Sequence, residues 1–289
     1  MSASAAITAP STGARLTRFS LVRIVLAALA TIVPVALILI LAHQIPDKSM
    51  RWLWPQLLAA AACVAGYVFY VRKIEQRDAT ELSRPGAVRE LGTGVLGGAG
   101  LFAVIVGALA VGGNYTIFGH NGPGVMVGPF VETVLAALFE EILFRGVLFR
   151  VTERSLGTRA AVVISSVLFA LAHLPNEGIT ALAVGATFVA GIFFAAAYLA
   201  TRRLWLAVGL HFGWNFVSDA VFSVTTSGHP ANGLLQARLT GAEWLSGGIY
   251  GIEGSALTVV VMALGAVYLF RLAARRNLIG RASQAAALA

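Results

Sequence analysis

An all-α protein that crosses a membrane several times is the fold class this sequence predicts, and three observations carry it. Hydrophobic residues make up 58% of the chain and charged residues only 12%, about half the charged share of an ordinary globular protein. Several apolar runs reach the roughly 20 residues a helix needs to cross a bilayer. The basic residues gather at the ends of those runs, which is a topology signal. In that setting the formal charge of +8 does not point to nucleic acid, and no nucleic-acid partner is expected.

Eight spans follow in order. Residues 1–20 are polar, small and basic, and read as a disordered tail. The first span, Leu21–Ala42, is too long for a signal-peptide core and holds Pro34, which predicts a kink. Trp52 and Trp54 read as interfacial anchors for the second, Leu53–Val71. Arg72 to Glu90 is the most charged stretch and reads as a solvated linker. The third span, Leu91–Val111, carries Gly94, Gly97 and Gly98, small residues that let helices approach closely in lipid. Gly112–Gly124 is a turn-rich loop. The fourth span is Val125–Phe149. The fifth, Ala160–Leu174, stops at Pro175. The sixth is Ile179–Ala200 and the seventh Leu204–Phe222. A long loop, Ser223–Glu253, precedes the eighth, Ser255–Phe270. A single transmembrane domain over 21–272 and a basic tail over 273–289 complete the chain.

Of the 21 Lys and Arg, all but Lys48, Arg51, Arg145 and Arg238 fall on one side of this arrangement. Basic loops stay in the cytoplasm, so both termini are expected there. Cys63 is the one cysteine; it lies in an apolar run and reads as a small core residue.

Polar groups inside the spans are the informative exceptions. The fourth span contains Phe139-Glu140-Glu141-Ile142-Leu143-Phe144-Arg145. A charge near the bilayer centre costs roughly 2.5–3.5 kcal/mol on insertion scales, so three in six residues call for a cavity or for one another. Glu141 and Arg145 are four apart and share a helix face. Glu140 points about 100° away. Glu141–Arg145 therefore reads as a holding pair and Glu140 as free to work; the plainer alternative is a packing salt bridge beside a neutral glutamic acid. The fifth span reads Phe169-Ala-Leu-Ala-His173 and the seventh His211-Phe-Gly-Trp-Asn215. Measured from the cytoplasmic flanks, Glu140, His173 and His211 lie about 15, 21 and 12 Å deep, near enough to meet in a core of about 30 Å.

Glu, His, His and Asn in a dry cavity suit water-driven hydrolysis. A glutamate in low dielectric can act as a general base, and imidazole or amide N–H groups can stabilise an oxyanion. No serine or cysteine nucleophile belongs to the set, and the zincin signature is missing. Glu140, His173 and His211 can alternatively ligate zinc with an open position, although Asn215 then lacks a ligand role.

Glu140-Glu141-x-x-x-Arg145, Phe169-x-x-x-His173 and His211-x-x-x-Asn215, in order and in separate spans, resemble the three motifs of the CPBP family. These are the CAAX protease and bacteriocin-processing intramembrane proteases, also called Abi or Rce1-like proteins. The resemblance covers about 125–222. It implies eight transmembrane helices around a cavity and an intramembrane endopeptidase acting on a peptide or membrane-protein substrate. It implies that Glu140 activates water with His173, and that His211 and Asn215 form the oxyanion site. Glu141, Arg145 and Phe169 would give structural support. A metal-free glutamate mechanism is favoured, with no cofactor, although the family has long been named as metalloproteases. The composition points to a bacterial inner (plasma) membrane. Two other functions stay open: a catalytically idle binding or immunity scaffold, and an ion- or proton-coupled transporter.

Glu132 is expected to face the outer end of the cavity or to snorkel outward, Asp219 to line the cavity or accept a hydrogen bond near the outer face, and His43, His120 and His229 to be solvated in or beside outer loops.

Overall fold

The computed structural model describes residues 19–47, 51 and 53–280. The tails at 1–18 and 281–289 and the anchor assigned to Trp52 lie outside them. The chain is a helical, multi-pass membrane protein with one small β-ribbon on a loop side. Its helices are α1 Ser20–His43, α2 Trp54–Lys73, α3 Ala87–Val111, α4 Val127–Glu141, α5 Arg150–Ala172, α6 Ala181–Thr201, α7 Trp205–Phe216 and α8 Ala256–Arg275. Strands β1 Tyr115–His120 and β2 Leu235–Leu239 pair antiparallel, Tyr115 opposite Leu239.

Among the described residues, six helical stretches, rather than the expected eight, are long and apolar enough by themselves to cross a membrane. The difference has two physical causes. The expected fourth and fifth spans lie in one helical stretch, Pro123–Ala172. It is broken at Gly157, whose φ of 83° and ψ of 169° suit only glycine. The ring of Phe144 packs on Phe169 at 5.0 Å, and Glu140 comes within 3.9 Å of His173. Both pairs are symmetric about residues 156–157, so the chain doubles back there as a helical hairpin. The expected seventh span is short because α7 passes into a π-helical turn at Val217–Val221.

Helix ends follow local chemistry. Thr180 caps α6 by accepting from the Ala183 amide at 3.1 Å, and Ser255 caps α8 by accepting from Thr258 at 3.2 Å; such caps contribute about 1 kcal/mol each. α6 is the central helix, and every residue from Phe193 to Ala200 is buried. α1 is peripheral: Leu21, Val25, Leu29, Leu37 and Leu41 are exposed along it, as lipid-facing residues are.

Very close packing joins α3 to α7. A Cβ on Gly98 would lie 2.1 Å from the Leu210 carbonyl oxygen, and one on Gly213 would lie 2.2 Å from that of Val95. Gly94 and Gly209 make the same approach one turn away. Backbones this close exclude any side chain. With its glycine face on α3, α7 turns His211 and Asn215 toward the cavity.

The Arg72–Glu90 stretch is a locked connection rather than a solvated linker. Glu81 is buried at 2% exposure. Arg77 pairs with Glu75 and Glu81 at 2.7 Å each, and Arg150 pairs with Glu75 at 2.9 Å. The Tyr67 hydroxyl donates to Glu81. Burial by itself would raise both carboxyls; Arg150 and Arg77 outweigh it and hold Glu75 and Glu81 below the usual carboxylate range.

Candidate active site

Two of the three helices that carry the polar motifs loosen within or just after them. Ile142–Phe149 is π-helical and follows the Glu140-Glu141 pair; Val217–Val221 is π-helical and follows Asn215. Such turns recur at functional sites because they free backbone groups. Here the Arg150 amide bonds to the Arg145 carbonyl, five residues back. The released Gly146 carbonyl accepts the Tyr67 hydroxyl at 3.0 Å and the Arg150 Nε at 2.7 Å. The motif helix is thereby tied to the ion-pair cluster of the Arg72–Glu90 stretch.

Glu141 and Arg145 are completely buried and bonded at 2.9 Å. The guanidinium lies over Phe169 at 4.7 Å and Phe194 at 5.2 Å, and its other amine donates to the Gly191 carbonyl at 3.0 Å. Two ring faces and a carbonyl replace the water that a buried cation loses. Glu141 also does more than hold Arg145. Its Oε1 lies 3.0 Å from His211 Nδ1. A carboxylate can only accept, so Nδ1 is the protonated nitrogen and Nε2 faces away.

His173 is oriented in the same manner. Its Nδ1 donates to the Phe169 carbonyl at 2.8 Å, and its ring sits 4.6 Å from the Phe169 ring. His211 stacks on Phe194 at 4.8 Å. Both Nε2 atoms then meet one oxygen: Glu140 Oε2 lies 3.9 Å from His173 Nε2 and 3.9 Å from His211 Nε2. That oxygen is buried and makes no hydrogen bond to the protein.

The three residues and Asn215 line one cavity of about 390 Å³, within the size range of small-ligand sites. Its walls are largely apolar, with Leu143, Phe144, Phe194 and Met262 among them. Glu132 and Asp219 are not among the lining residues. His43 and His120 are exposed. His229 is exposed too, as expected, and it also forms part of the cavity wall.

Sequence reasoning missed one whole wall. Thr226, Ser227, Tyr250 and Glu253 come from the Ser223–Glu253 loop and face the site. Glu253 accepts from the Trp214 indole at 2.9 Å and from Ser227 at 2.5 Å. The loop carries many turn residues and no helical spacing, so nothing local placed it; its register comes from the β1–β2 pairing and from the Gly228 amide bonding the Tyr250 carbonyl at 3.0 Å. Phe194 was equally silent, one of four aromatics in a largely apolar helix.

No curated protein and no solved structure matches this chain. A family model described as type II CAAX prenyl endopeptidase Rce1-like matches residues 123–217. That stretch contains all seven motif residues, from Glu140 to Asn215, and stops short of the Glu253 loop. Over this cavity-forming segment, the chain is similar to the Rce1-like family.

Proposed function

We propose that this protein is an intramembrane endopeptidase in which Glu140 is the general base. The observation that carries the reading is the unpartnered, buried Oε2 of Glu140, 3.9 Å from the Nε2 of each histidine. The spacing between Glu140 and His173 is one that a single water bridges with two bonds of about 2.8 Å. His173 gives its Nδ1 proton to a neutral carbonyl, so its Nε2 is an acceptor. Water then donates one hydrogen to each group and keeps a lone pair for the scissile carbonyl carbon. As the C–O bond forms, the water proton passes to Glu140.

His211 plays a different part because its surroundings differ. It lies between Glu141 on Nδ1 and Glu140 beyond Nε2, so each ring nitrogen faces a carboxylate that can accept its N–H. Its Nε2–H and the Asn215 amide are the donors for the developing oxyanion. Collapse of the tetrahedral intermediate breaks the C–N bond, and Glu140 returns its proton to the leaving amine. Arg145 neutralises Glu141, so that His211 is held without drawing its proton away.

The residues fit zinc less well. A tetrahedral shell with bonds of about 2.1 Å separates its ligand atoms by about 3.4 Å, against 3.9 Å from Glu140 to each histidine. Among the described residues no group of three His, Cys, Asp or Glu is assembled to hold a metal ion. No step above is routed through a metal.

The test is cleavage of a fluorogenic prenylated CAAX peptide by the purified protein, wild type beside Glu140→Gln, with and without a strong zinc chelator. Cleavage that needs Glu140 and survives chelation is expected. Full activity in Glu140→Gln would sink the reading. Loss on chelation with recovery on zinc would make Glu140, His173 and His211 ligands. A binding function that survives Glu140→Gln together with His173→Ala would favour the idle scaffold, and ion uptake without proteolysis the transporter.

A further inference from the structure

Glu253 is the second carboxylate of the cavity, and it comes from the loop rather than from a motif helix. Its two oxygens accept from Trp214 Nε1 and from the Ser227 hydroxyl. Both donors are neutral. Among the described residues no Lys, Arg or His forms an ion pair with Glu253, and the cavity wall contains neither Lys nor Arg. By contrast, the carboxylates of Glu75, Glu81, Glu141 and Glu153 each pair with an arginine, and Glu140 faces two imidazoles. A carboxylate held in a largely apolar cavity by neutral donors alone has no counter-charge of its own there.

Its position is tied to the reacting centre. Trp214 is fully buried, directly precedes Asn215 and follows His211 by three residues. The Trp214–Glu253 bond therefore fixes the carboxylate relative to the two residues assigned to the oxyanion. We propose that Glu253 is a specificity residue that recognises a basic side chain, Lys or Arg, on the substrate peptide close to the scissile bond. The inference rests on the endopeptidase reading. The apolar walls take the neighbouring residues, and the missing counter-charge arrives with the substrate.

The experiment uses the purified full chain and two sets of apolar fluorogenic peptides, identical except for one Lys or one norleucine walked through each position. Wild type is expected to cleave the best Lys peptide about tenfold better in kcat/KM than its norleucine twin. In Glu253→Gln, which preserves shape and an acceptor for Trp214, the ratio falls toward one; in Glu253→Lys a Glu-containing peptide becomes the preferred one. Binding of the same peptides to Glu140→Gln is read by fluorescence anisotropy. Lys-selective binding without any cleavage by wild type overturns the endopeptidase reading and leaves Glu253 in place. Cleavage without a Lys preference overturns the Glu253 assignment alone. So does a preference that persists in folded Glu253→Gln, or equal binding of the two peptide sets.

Discussion

Glu141 Oε1 accepts from His211 Nδ1 at 3.0 Å while the same oxygen holds Arg145 at 2.9 Å. One buried carboxylate thus joins the motif of α4 to that of α7. It fixes a proton on Nδ1 of His211 and turns its Nε2 toward Glu140.

Replacing that carboxylate separates orientation from mere packing. Glu141→Gln should lower kcat/KM about 10–100-fold, the range seen when partners of a working imidazole are removed, with KM little changed. It also leaves the buried Arg145 guanidinium unpaired, and the fold should lose about 3–5 kcal/mol. Steady-state kinetics and thermal unfolding read the two effects separately. Activity equal to wild type would exclude Glu141 as a positioning residue.

His173 is held by a backbone carbonyl and not by an acid. His173→Gln keeps a polar group near Glu140 but loses the ring on Phe169. A fall in kcat of about 10²–10⁴-fold is expected, the contribution of a general acid–base partner. Single-turnover cleavage would measure it, and a fall below tenfold would remove His173 from water activation.

The α3–α7 contact supplies a test remote from the chemistry. Gly98→Leu cannot be accommodated beside the Leu210 carbonyl without moving α7. A displacement of about 1 Å of catalytic groups costs about 10²-fold, so activity should fall although no cavity residue has changed. Gly92→Leu on the same helix, where a Cβ meets nothing within 4 Å, should behave as wild type.

Acid should loosen the Glu75–Arg77–Glu81–Arg150 cluster. Glu75 and Glu81 are held below the ordinary carboxylate range, so the folded state binds their protons less readily than the unfolded chain does. Their contribution is fully present above the unfolded value of about 4.3 and is lost as pH falls through the folded values. The melting temperature should drop on acidification below about pH 4.5, and Glu75→Gln with Glu81→Gln should flatten that drop. An unchanged slope in the double variant would show that the acid sensitivity lies elsewhere.

Most of the architecture could be read along the chain because lipid makes its own demands. Apolar runs of helix length, basic flanks and glycine faces follow from the cost of exposing polar backbone and charge to hydrocarbon. Glu140, Glu141, Arg145, His173, His211 and Asn215 stood out for the same reason: each is expensive where it sits, and the four-residue spacing put pairs on one face. The Gly157 reversal, the two π-helical turns and the buried state of Glu81 depend on partners distant in sequence, and no local pattern announced them. The Glu141–His211 bond joins residues 70 apart, and helical spacing can pair only neighbours on one helix. Glu253 enters the cavity because β1 and β2 pair and the loop folds back to meet Trp214. Sequence by itself determined which residues are too polar for a membrane; only the tertiary structure decided which of them meet, since that depends on how close the helix backbones can pack and where an irregular loop returns.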